Sequence, residues 1–299
     1  MALPLRGYFP IMPTPYTRDN EIDLLSVRRL VRFLIEAGAQ GMSPNGGDSE
    51  ARHLTEDERR KVLDAVLDEN AGRTPVLVGC SAPDAEASAR LCRHASAAGA
   101  DSVFVMPPSN WTGTLLEPRV SDTEMLAHYQ RIAEGLTTPL MVHATAAMSI
   151  DFIQALIELV PQTHYIKEET SHGAKLREYT RAFAGKLTVF GPGLHYPAEL
   201  EWGALGVMPS CCGPALHAHI FDLWMDGRHG DARAAWNLLL PLVFWRWHTS
   251  AKEAGKLYLR DRGVFDTTFV RPEFGRAALD KADEAEMHRV VALVEGPHP

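Results

Sequence analysis

PLMVHATAAMSIDFIQALIELVPQTHYIK, residues 139–167, contains two short apolar runs on either side of an amphipathic segment. The runs PLMVH and HYIK have the length and composition typical of parallel strands that are buried on both faces. Residues 150–159, which lie between the two runs, are predicted to form a helix. The stretch therefore predicts a strand–helix–strand unit with parallel strands.

The same alternation extends over most of the chain. Asp23 precedes an apolar helical face, and capping-box patterns at Thr55–Glu58 and Ser121–Glu124 start two further helices. The other apolar runs are YFPIM (8–12), GM (41–42), PVLVG (75–79), SVFVM (102–106), LTVFG (187–191) and LGVMP (205–209). The other predicted helices cover 84–98, 174–183, 197–202, 214–225, 231–248, 251–261 and 278–294.

About eight strand–helix units predict an α/β fold, a (β/α)8 TIM barrel, which typically takes ~250 residues. We expect the barrel to cover residues 1–225 and a C-terminal helical extension, packed on it in a single domain, to cover 226–299. The rival fold is a doubly wound open sheet, whose first turn would carry a glycine-rich phosphate motif. The first turn here, PTPYTRDNEID (13–23), contains no such motif, which favours the barrel.

Composition restricts the class of partner. The chain of 299 residues has 30 Lys and Arg against 38 Asp and Glu, a net charge of −8, which argues against nucleic-acid or anionic-membrane partners. No apolar run approaches the ~20 residues of a membrane span. Four cysteines are too few for a disulfide framework, and the start MALPLRGYFP does not resemble a secretion signal. We therefore expect a cytoplasmic protein with reduced thiols.

Residues that follow the predicted strands are the candidates for a site, because barrel enzymes build their active sites at the carboxyl ends of the strands. Lys167, His143 and Glu50 are the catalytic candidates. The candidate substrate-binding residues are Thr14, Gly47, Asp48, Ser49, Ser109, Asn110 and Ser210.

Lys167 is the most informative of these, since it is a cation at the end of a buried strand. Desolvation there would lower its pKa from ~10.4, and a neutral amine can attack a carbonyl group to form a Schiff base. The alternative is an ion pair with Glu168 or Glu169. Position alone leaves both interpretations open.

The other candidates also have two interpretations. His143 could be a general acid or base, or a neutral histidine bonded to the backbone. Glu50 and Asp48 could orient a substrate hydroxyl or carry a proton, or they could be solvated loop carboxylates. We expect Asp48 to face a cation or water, because it would repel a substrate carboxylate.

Signals for a metal or a phosphate are weaker. His217 and His219 are two positions apart in a predicted helix and do not face each other, so we expect no metal. The glycine-rich ends GPG (191–193) and CCG (211–213) could form a phosphate site, but turn geometry also explains their glycines. Cys211 and Cys212 could be packing residues or reactive thiols; packing is favoured.

Six segments, taken in order and with their spacing, resemble the dihydrodipicolinate synthase / N-acetylneuraminate lyase family over nearly the whole chain. They are GYFPIMPTPYTRDNEID (7–23), LTEDER (54–59), PLMVH (139–143), YIKEET (165–170), EWGALGVMPS (201–210) and SAKEAGKLYLRDRG (250–263). The resemblance implies a (β/α)8 barrel with a helical extension, a homo-oligomer (dimer or tetramer), and Schiff-base chemistry through Lys167.

Departures from the family pattern indicate which branch the chain resembles. The loop motif Gly-Thr-Thr-Gly-Glu is replaced by residues 46–50, GGDSE, and the catalytic tyrosine after PLMV is replaced by His143. The paired tyrosines after Pro-Pro read Ser109-Asn110. A dihydrodipicolinate synthase is therefore not expected, and the pattern is more similar to the 2-keto-3-deoxy-sugar-acid dehydratase branch.

The resemblance implies a cofactor-free lyase, a dehydratase or an aldolase, acting on a 2-oxo acid such as a 2-keto-3-deoxy sugar acid or a pyruvate-derived substrate. In this interpretation Lys167 forms the imine, His143 is the acid or base, and Glu50 is the second choice for that role. One alternative is a relative that binds a 2-oxo acid without turnover. Another is a metal-dependent hydrolase, which would need three or more ligands.

Overall fold

The structure, a computed structural model, describes residues 5–107, 120–144, 148–170, 173–249, 253–272 and 279–296. The chain divides into two compact units. We call residues 1–9 and 75–209 the sheet unit, and residues 10–74 and 210–299 the helical unit. The sequence instead predicts a boundary after residue 225, between a barrel and a C-terminal extension. This division differs from the two units and stays a prediction.

The sheet unit contains a seven-stranded sheet in which every pair of neighbouring strands is parallel. Numbered in chain order, its strands are β1 (Gly7–Tyr8), β2 (Leu77–Gly79), β3 (Ser102–Val105), β4 (Leu140–Ala144), β5 (Thr163–Glu168), β6 (Thr188–Gly191) and β7 (Gly206–Val207). Their order across the sheet is β1-β7-β6-β5-β4-β3-β2. Val142, Ile166 and Phe190 are fully buried in it, which is why the runs are continuously apolar.

Five helices connect the strands of the sheet unit: α3 (Ala85–Ala98), α4 (Asp122–Ala133), α5 (Ile150–Leu159), α6 (Gly173–Ala182) and α7 (Tyr196–Glu201). The start of α4 is the capping box predicted from the sequence, since the Ser121 and Glu124 side chains each accept the other's backbone N–H. The predicted bounds of α5 are confirmed.

The helical unit contains α1 (Leu24–Glu36), a 3₁₀ helix (Ala51–His53), α2 (Glu56–Asn70), α8 (Pro214–Met225), α9 (His229–His248), α10 (Glu253–Arg260) and α11 (Lys281–Glu295). Asp23 caps α1, and Thr55 with Glu58 forms the predicted capping box of α2. None of the described helices is long and apolar enough to cross a membrane.

The prediction of eight strands is one too many for the described residues. Gly41 and Met42 form no strand, and the pairing described here consists of single bridge residues, Met42 and Ser43, of which Ser43 pairs with Ile11. Pro10 and Pro44 explain the difference, because neither has an N–H group with which to extend a ladder. For the same reason the predicted first strand, 8–12, is shortened to β1.

Candidate active site

The carboxyl ends of β4 and β5 bring two predicted catalytic residues together. His143 and Lys167 are register partners in this parallel pair, so their side chains leave the same face of the sheet. Glu169 follows two residues after Lys167, and the two-residue period of an extended chain returns its side chain to that face.

Glu169 joins the other two side chains through one oxygen. Its Oε2 atom lies 2.7 Å from Lys167 Nζ and 2.9 Å from His143 Nε2. Lys167 and His143 are 6% and 5% exposed, whereas the Glu169 side chain is 21% exposed. The ion pair predicted as one interpretation of Lys167 is therefore present, and Glu169 rather than Glu168 provides it.

The environment sets the charges of this cluster. Burial lowers the pKa of His143, against the opposing effect of the Glu169 carboxylate, so the imidazole is neutral at neutral pH. Burial acts to raise the pKa of Glu169, but Lys167 and His143 together hold it at about 2. The cluster thus combines an ionised carboxylate with a neutral imidazole that can accept a proton.

Glu168 lies on the opposite face of β5 and binds elsewhere. Its Oε1 atom accepts the backbone N–H of Thr170 at 2.6 Å. The adjacent glutamates therefore have different partners, because successive side chains along a strand point to opposite faces.

The GPG turn after β6 does not have the open donors of a phosphate site. The buried Glu199 carboxylate on α7 accepts the N–H of Gly193 at 2.9 Å and that of His195 at 2.8 Å. Gly191 is required beside it, because a Cβ atom there would lie 2.1 Å from Glu199 Oε2. An internal carboxylate thus takes the donors that a bound anion would need, and turn geometry accounts for the glycines.

Glu50 lies in the helical unit, in a second buried ion pair. Its Oε1 atom is 2.6 Å from Lys256 Nζ, and both side chains are fully buried. Lys256 also donates to the Phe269 carbonyl oxygen at 2.8 Å and lies 4.4 Å from the centre of the Tyr16 ring. Glu50 itself adopts the left-handed backbone conformation, at φ 58°. It is therefore not a solvated loop carboxylate.

The predicted substrate-binding loop is also in the helical unit, and its polar groups bind within the protein. Asp48 contacts Arg246 Nη2 at 3.0 Å, so of the two expected partners, a cation or water, the structure shows a cation. The Ser49 hydroxyl donates to the Met12 carbonyl and accepts the Gly46 N–H, and the Thr14 hydroxyl donates to the Ser49 carbonyl at 2.6 Å.

The remaining candidates have simpler environments. Ser210 forms an isolated bridge with Ile11. Burial raises the pKa of the Cys212 thiol to about 11 and that of the Cys211 thiol well above its ordinary value, which fits packing rather than reactive thiols. His217 is fully buried on α8 whereas His219 is exposed, so the two diverge as expected. Ser109 and Asn110 lie outside the described residues. Within the described ranges, no cluster of three or more potential metal ligands occurs.

The predicted site residues do not include three residues that pair with them: Glu169, Lys256 and Arg246. The sequence predicts Glu169 only as an ion-pair partner, although its two-residue spacing from Lys167 places both side chains on the same side of the chain where β5 ends. Lys256 and Arg246 were not found, because each contacts a residue that is far away in the sequence. No local pattern carries such a signal.

A protein-family model matches nearly the whole chain. The model of the Dihydrodipicolinate synthetase family matches residues 4–292. The chain belongs to this family. The resemblance stated from six sequence segments is thereby confirmed.

Two relatives within the family represent different activities. An L-2-keto-3-deoxyarabonate dehydratase of Azospirillum brasilense is 32% identical over 292 residues, which cover 94% of this chain and 92% of the relative. A 4-hydroxy-tetrahydrodipicolinate synthase of Brucella abortus is 28% identical over 299 residues, covering 96% of this chain and 99% of the synthase. Both matches extend over nearly the whole of both chains.

Solved structures agree with the family assignment. A putative dihydrodipicolinate synthetase from Pseudomonas aeruginosa has a TM-score of 0.88 at 22% identity, covering 98% of this chain and all of that one. A prophage protein of the dihydrodipicolinic acid synthase family from E. coli K12, solved in complex with pyruvate, has a TM-score of 0.88 at 23% identity, with 97% and 98% covered. The chain therefore has the TIM-barrel-like α/β fold of the dihydrodipicolinate synthetase family.

Proposed function

We propose that this protein is a Schiff-base lyase that dehydrates a 2-keto-3-deoxy sugar acid. The observation that carries the proposal is the buried Lys167–Glu169–His143 cluster at the carboxyl ends of β4 and β5. Membership of the family and the full-length similarity to a 2-keto-3-deoxyarabonate dehydratase support a lyase. The turnover assay described below distinguishes a five-carbon substrate from a longer one.

In the proposed first step, Lys167 attacks the C2 carbonyl of the 2-oxo acid and water is lost. The product is a protonated imine, which withdraws electrons from the neighbouring C3–H bond. No separate cofactor is needed, since the imine is itself the electron sink. Burial of the amine favours this step, because it limits competing hydrolysis by bulk water.

In the proposed second step, His143 removes a proton from C3 to give an enamine, and it returns this proton to the C4 hydroxyl, which leaves as water when the C4–O bond breaks. The neutral state of the imidazole supports this role, since only the neutral form accepts a proton. An aldolase would form the same enamine by breaking the C3–C4 bond instead. The base would then take the proton of the C4 hydroxyl.

Other predicted assignments remain predictions. Glu50 binds Lys256 within the helical unit, and we assign it no step. Substrate contacts by the loop 47–49, by Thr14 and Ser210, and by Ser109 and Asn110 are likewise retained as predictions. The same holds for the closed (β/α)8 barrel with its extension over 226–299, for a homo-oligomer (dimer or tetramer) and for a cytoplasmic location.

A turnover assay on a panel of 2-keto-3-deoxy sugar acids tests the proposal. The proposal predicts water loss from at least one of them, unaffected by a chelator, and its absence in Lys167→Ala. Formation of pyruvate and an aldehyde would instead identify an aldolase. Tight binding of the whole panel without product would favour the alternative, a relative that binds 2-oxo acids without turnover.

A further inference from the structure

Two consecutive glutamates follow Lys167, and one of them contacts the amine that the proposed function makes reactive. Glu169 Oε2 lies 2.7 Å from Lys167 Nζ and also 2.9 Å from His143 Nε2. Glu168 points to the other face, where it binds Thr170. The shared oxygen of Glu169 is therefore placed where protons must leave and return during imine formation.

We propose that Glu169 is a catalytic carboxylate: it carries protons between the Lys167 nitrogen and the departing oxygen during imine formation, and then remains as the counter-ion of the iminium. This inference rests on the proposed function, because it assumes that Lys167 forms an imine. It assigns the acid–base work of the first step to Glu169 and leaves His143 for the substrate carbon chemistry.

The ammonium proton of Lys167 can pass to Glu169. An ammonium is not a nucleophile, so Lys167 must lose a proton before it attacks. Transfer to Glu169 gives a neutral amine and a neutral carboxylic acid, with no unpaired charge left in a buried site. Loss of the proton to water would leave the Glu169 carboxylate buried without its partner, which is costly.

The atoms and charges of imine formation balance with Glu169 as the proton carrier. The amine forms a C–N bond at C2 and the carbonyl oxygen takes the proton from Glu169. Glu169 then removes a second proton from nitrogen and delivers it to the same oxygen, and the C–O bond breaks to release water. The nitrogen keeps one proton as the iminium, so an ammonium and a ketone have become an iminium and water. No oxidant or other reactant is needed.

The charge of the neighbouring nitrogen controls when Glu169 holds a proton. Once Lys167 has given up its proton, its charge no longer lowers the pKa of Glu169, so the carboxyl group can hold the proton until it passes to the carbinolamine oxygen. It ends the step ionised beside a positively charged nitrogen, as it is in the resting ion pair. His143 Nε2, 2.9 Å from the same oxygen, holds the carboxylate in place.

Rapid mixing with pyruvate followed by borohydride, with the adduct on Lys167 measured by mass spectrometry, tests this role. E169Q keeps the side-chain shape but removes the carboxylate, and we expect imine formation to slow about 100-fold. E178Q is the matched control, because Glu178 also pairs with a lysine, Lys175, at 2.8 Å in the same unit but at the exposed surface. Its rate should equal that of the wild type.

A purely static ion pair gives the opposite result. If Glu169 only holds Lys167 as an ammonium, E169Q will form the imine as fast as the wild type or faster, and the inference is overturned. Formate provides a second readout: it should accelerate imine formation in E169A in proportion to its concentration. A rate in E169A that does not respond to formate would also overturn the role.

Two further outcomes keep the test decisive. If neither variant folds, E169D retains the charge of the buried pair, and its displaced carboxylate should slow imine formation about tenfold; an unchanged rate would contradict the role. If the wild type itself forms no adduct with pyruvate or with longer 2-oxo acids, the proposed function fails. An adduct in the wild type with no slowing in E169Q defeats the inference alone.

Discussion

Among the residues that the structure describes, a buried lysine–glutamate pair occurs in each of the two units, and these two pairs have different surroundings. In the helical unit, Lys256 and Glu50 are 2.6 Å apart and fully buried, and Lys256 also contacts the Phe269 carbonyl and the Tyr16 ring. In the sheet unit, Lys167 and Glu169 are 2.7 Å apart, but the carboxylate is 21% exposed and shares its oxygen with His143.

We infer from this difference that the Lys256–Glu50 pair is structural and that the Lys167–Glu169 pair is the reactive one of the proposed function. Lys256 donates to a carboxylate and a carbonyl and lies beneath an aromatic ring. These contacts stabilise its charged form, and its burial keeps it from a substrate. The other pair has a partly exposed carboxylate, and the neutral imidazole of His143 lies beside it. We therefore expect substitutions of Lys167 to affect chemistry and those of Lys256 to affect stability.

The largest expected effect is that of Lys167→Met on turnover. Loss of the nucleophile removes the imine route altogether, so activity should fall by at least about 10⁴-fold while the fold persists. Steady-state kinetics on the sugar-acid panel and circular dichroism check the two parts. Lys175→Met is the control, because Lys175 pairs with Glu178 at the surface of the same unit. Substantial turnover in Lys167→Met would place the chemistry elsewhere.

Replacement of His143 should have the next largest effect. If its neutral imidazole is the base for C3, His143→Ala should lower turnover about 10²- to 10⁴-fold, yet retain an imine that borohydride traps. His164→Ala, at an exposed position of β5, serves as the control. Full activity in His143→Ala would remove this residue from catalysis, and loss of trapping with the fold intact would assign it to the first step.

Lys256→Met tests whether the Lys256–Glu50 pair stabilises the fold. It leaves the Glu50 carboxylate buried without its cation, which should reduce the free energy of unfolding by about 3–5 kcal/mol. Guanidinium unfolding measures the change, with Lys281→Met at the exposed start of α11 as the control. A loss below about 1 kcal/mol would mean that the pair is not the structural element described above.

The smallest effect expected is on the pH dependence of stability, and it concerns a third buried carboxyl group. Burial raises the pKa of Glu199 to about 7, whereas Lys167 and His143 hold that of Glu169 at about 2 against the effect of burial. The unfolded chain releases the Glu199 proton near its ordinary pKa of 4.5, and the folded chain only near 7. Glu199 therefore makes stability fall as pH rises through this interval, by up to roughly 3 kcal/mol.

Glu199→Gln should remove that part of the slope, although it also loses one acceptor for the N–H groups of Gly193 and His195. Unfolding measured at several pH values between about 4.5 and 7 compares the two proteins. Parallel curves for wild type and variant would show that Glu199 does not titrate in this interval.

Local patterns predicted the helices well. The bounds of α5 and α8 match the sequence expectation, and the capping boxes of α2 and α4 form as expected, because each depends on contacts within a few residues. The run at Gly41 failed as a strand, since a two-residue apolar segment next to a proline gives little pairing and strand formation depends on distant partners.

The site was predictable in part for the same reason. His143 and Lys167 could be placed together because parallel strands align their carboxyl ends. Asp48 and Arg246 are 198 residues apart in the chain, so only the folded structure shows that the loop carboxylate is bound by a cation. The position of the Glu169 side chain could be predicted from the sequence, because it follows Lys167 by two residues, the repeat of an extended chain.

The proposed function depends on a covalent imine between the Lys167 amine and a 2-oxo acid. Borohydride reduction in the presence of pyruvate, followed by peptide mass spectrometry, tests it most directly. The account predicts one reduced adduct, located on Lys167 and absent from Lys256 in the same sample. An unmodified Lys167 after trials with pyruvate and several longer 2-oxo acids, or an adduct on Lys256 instead, would contradict it.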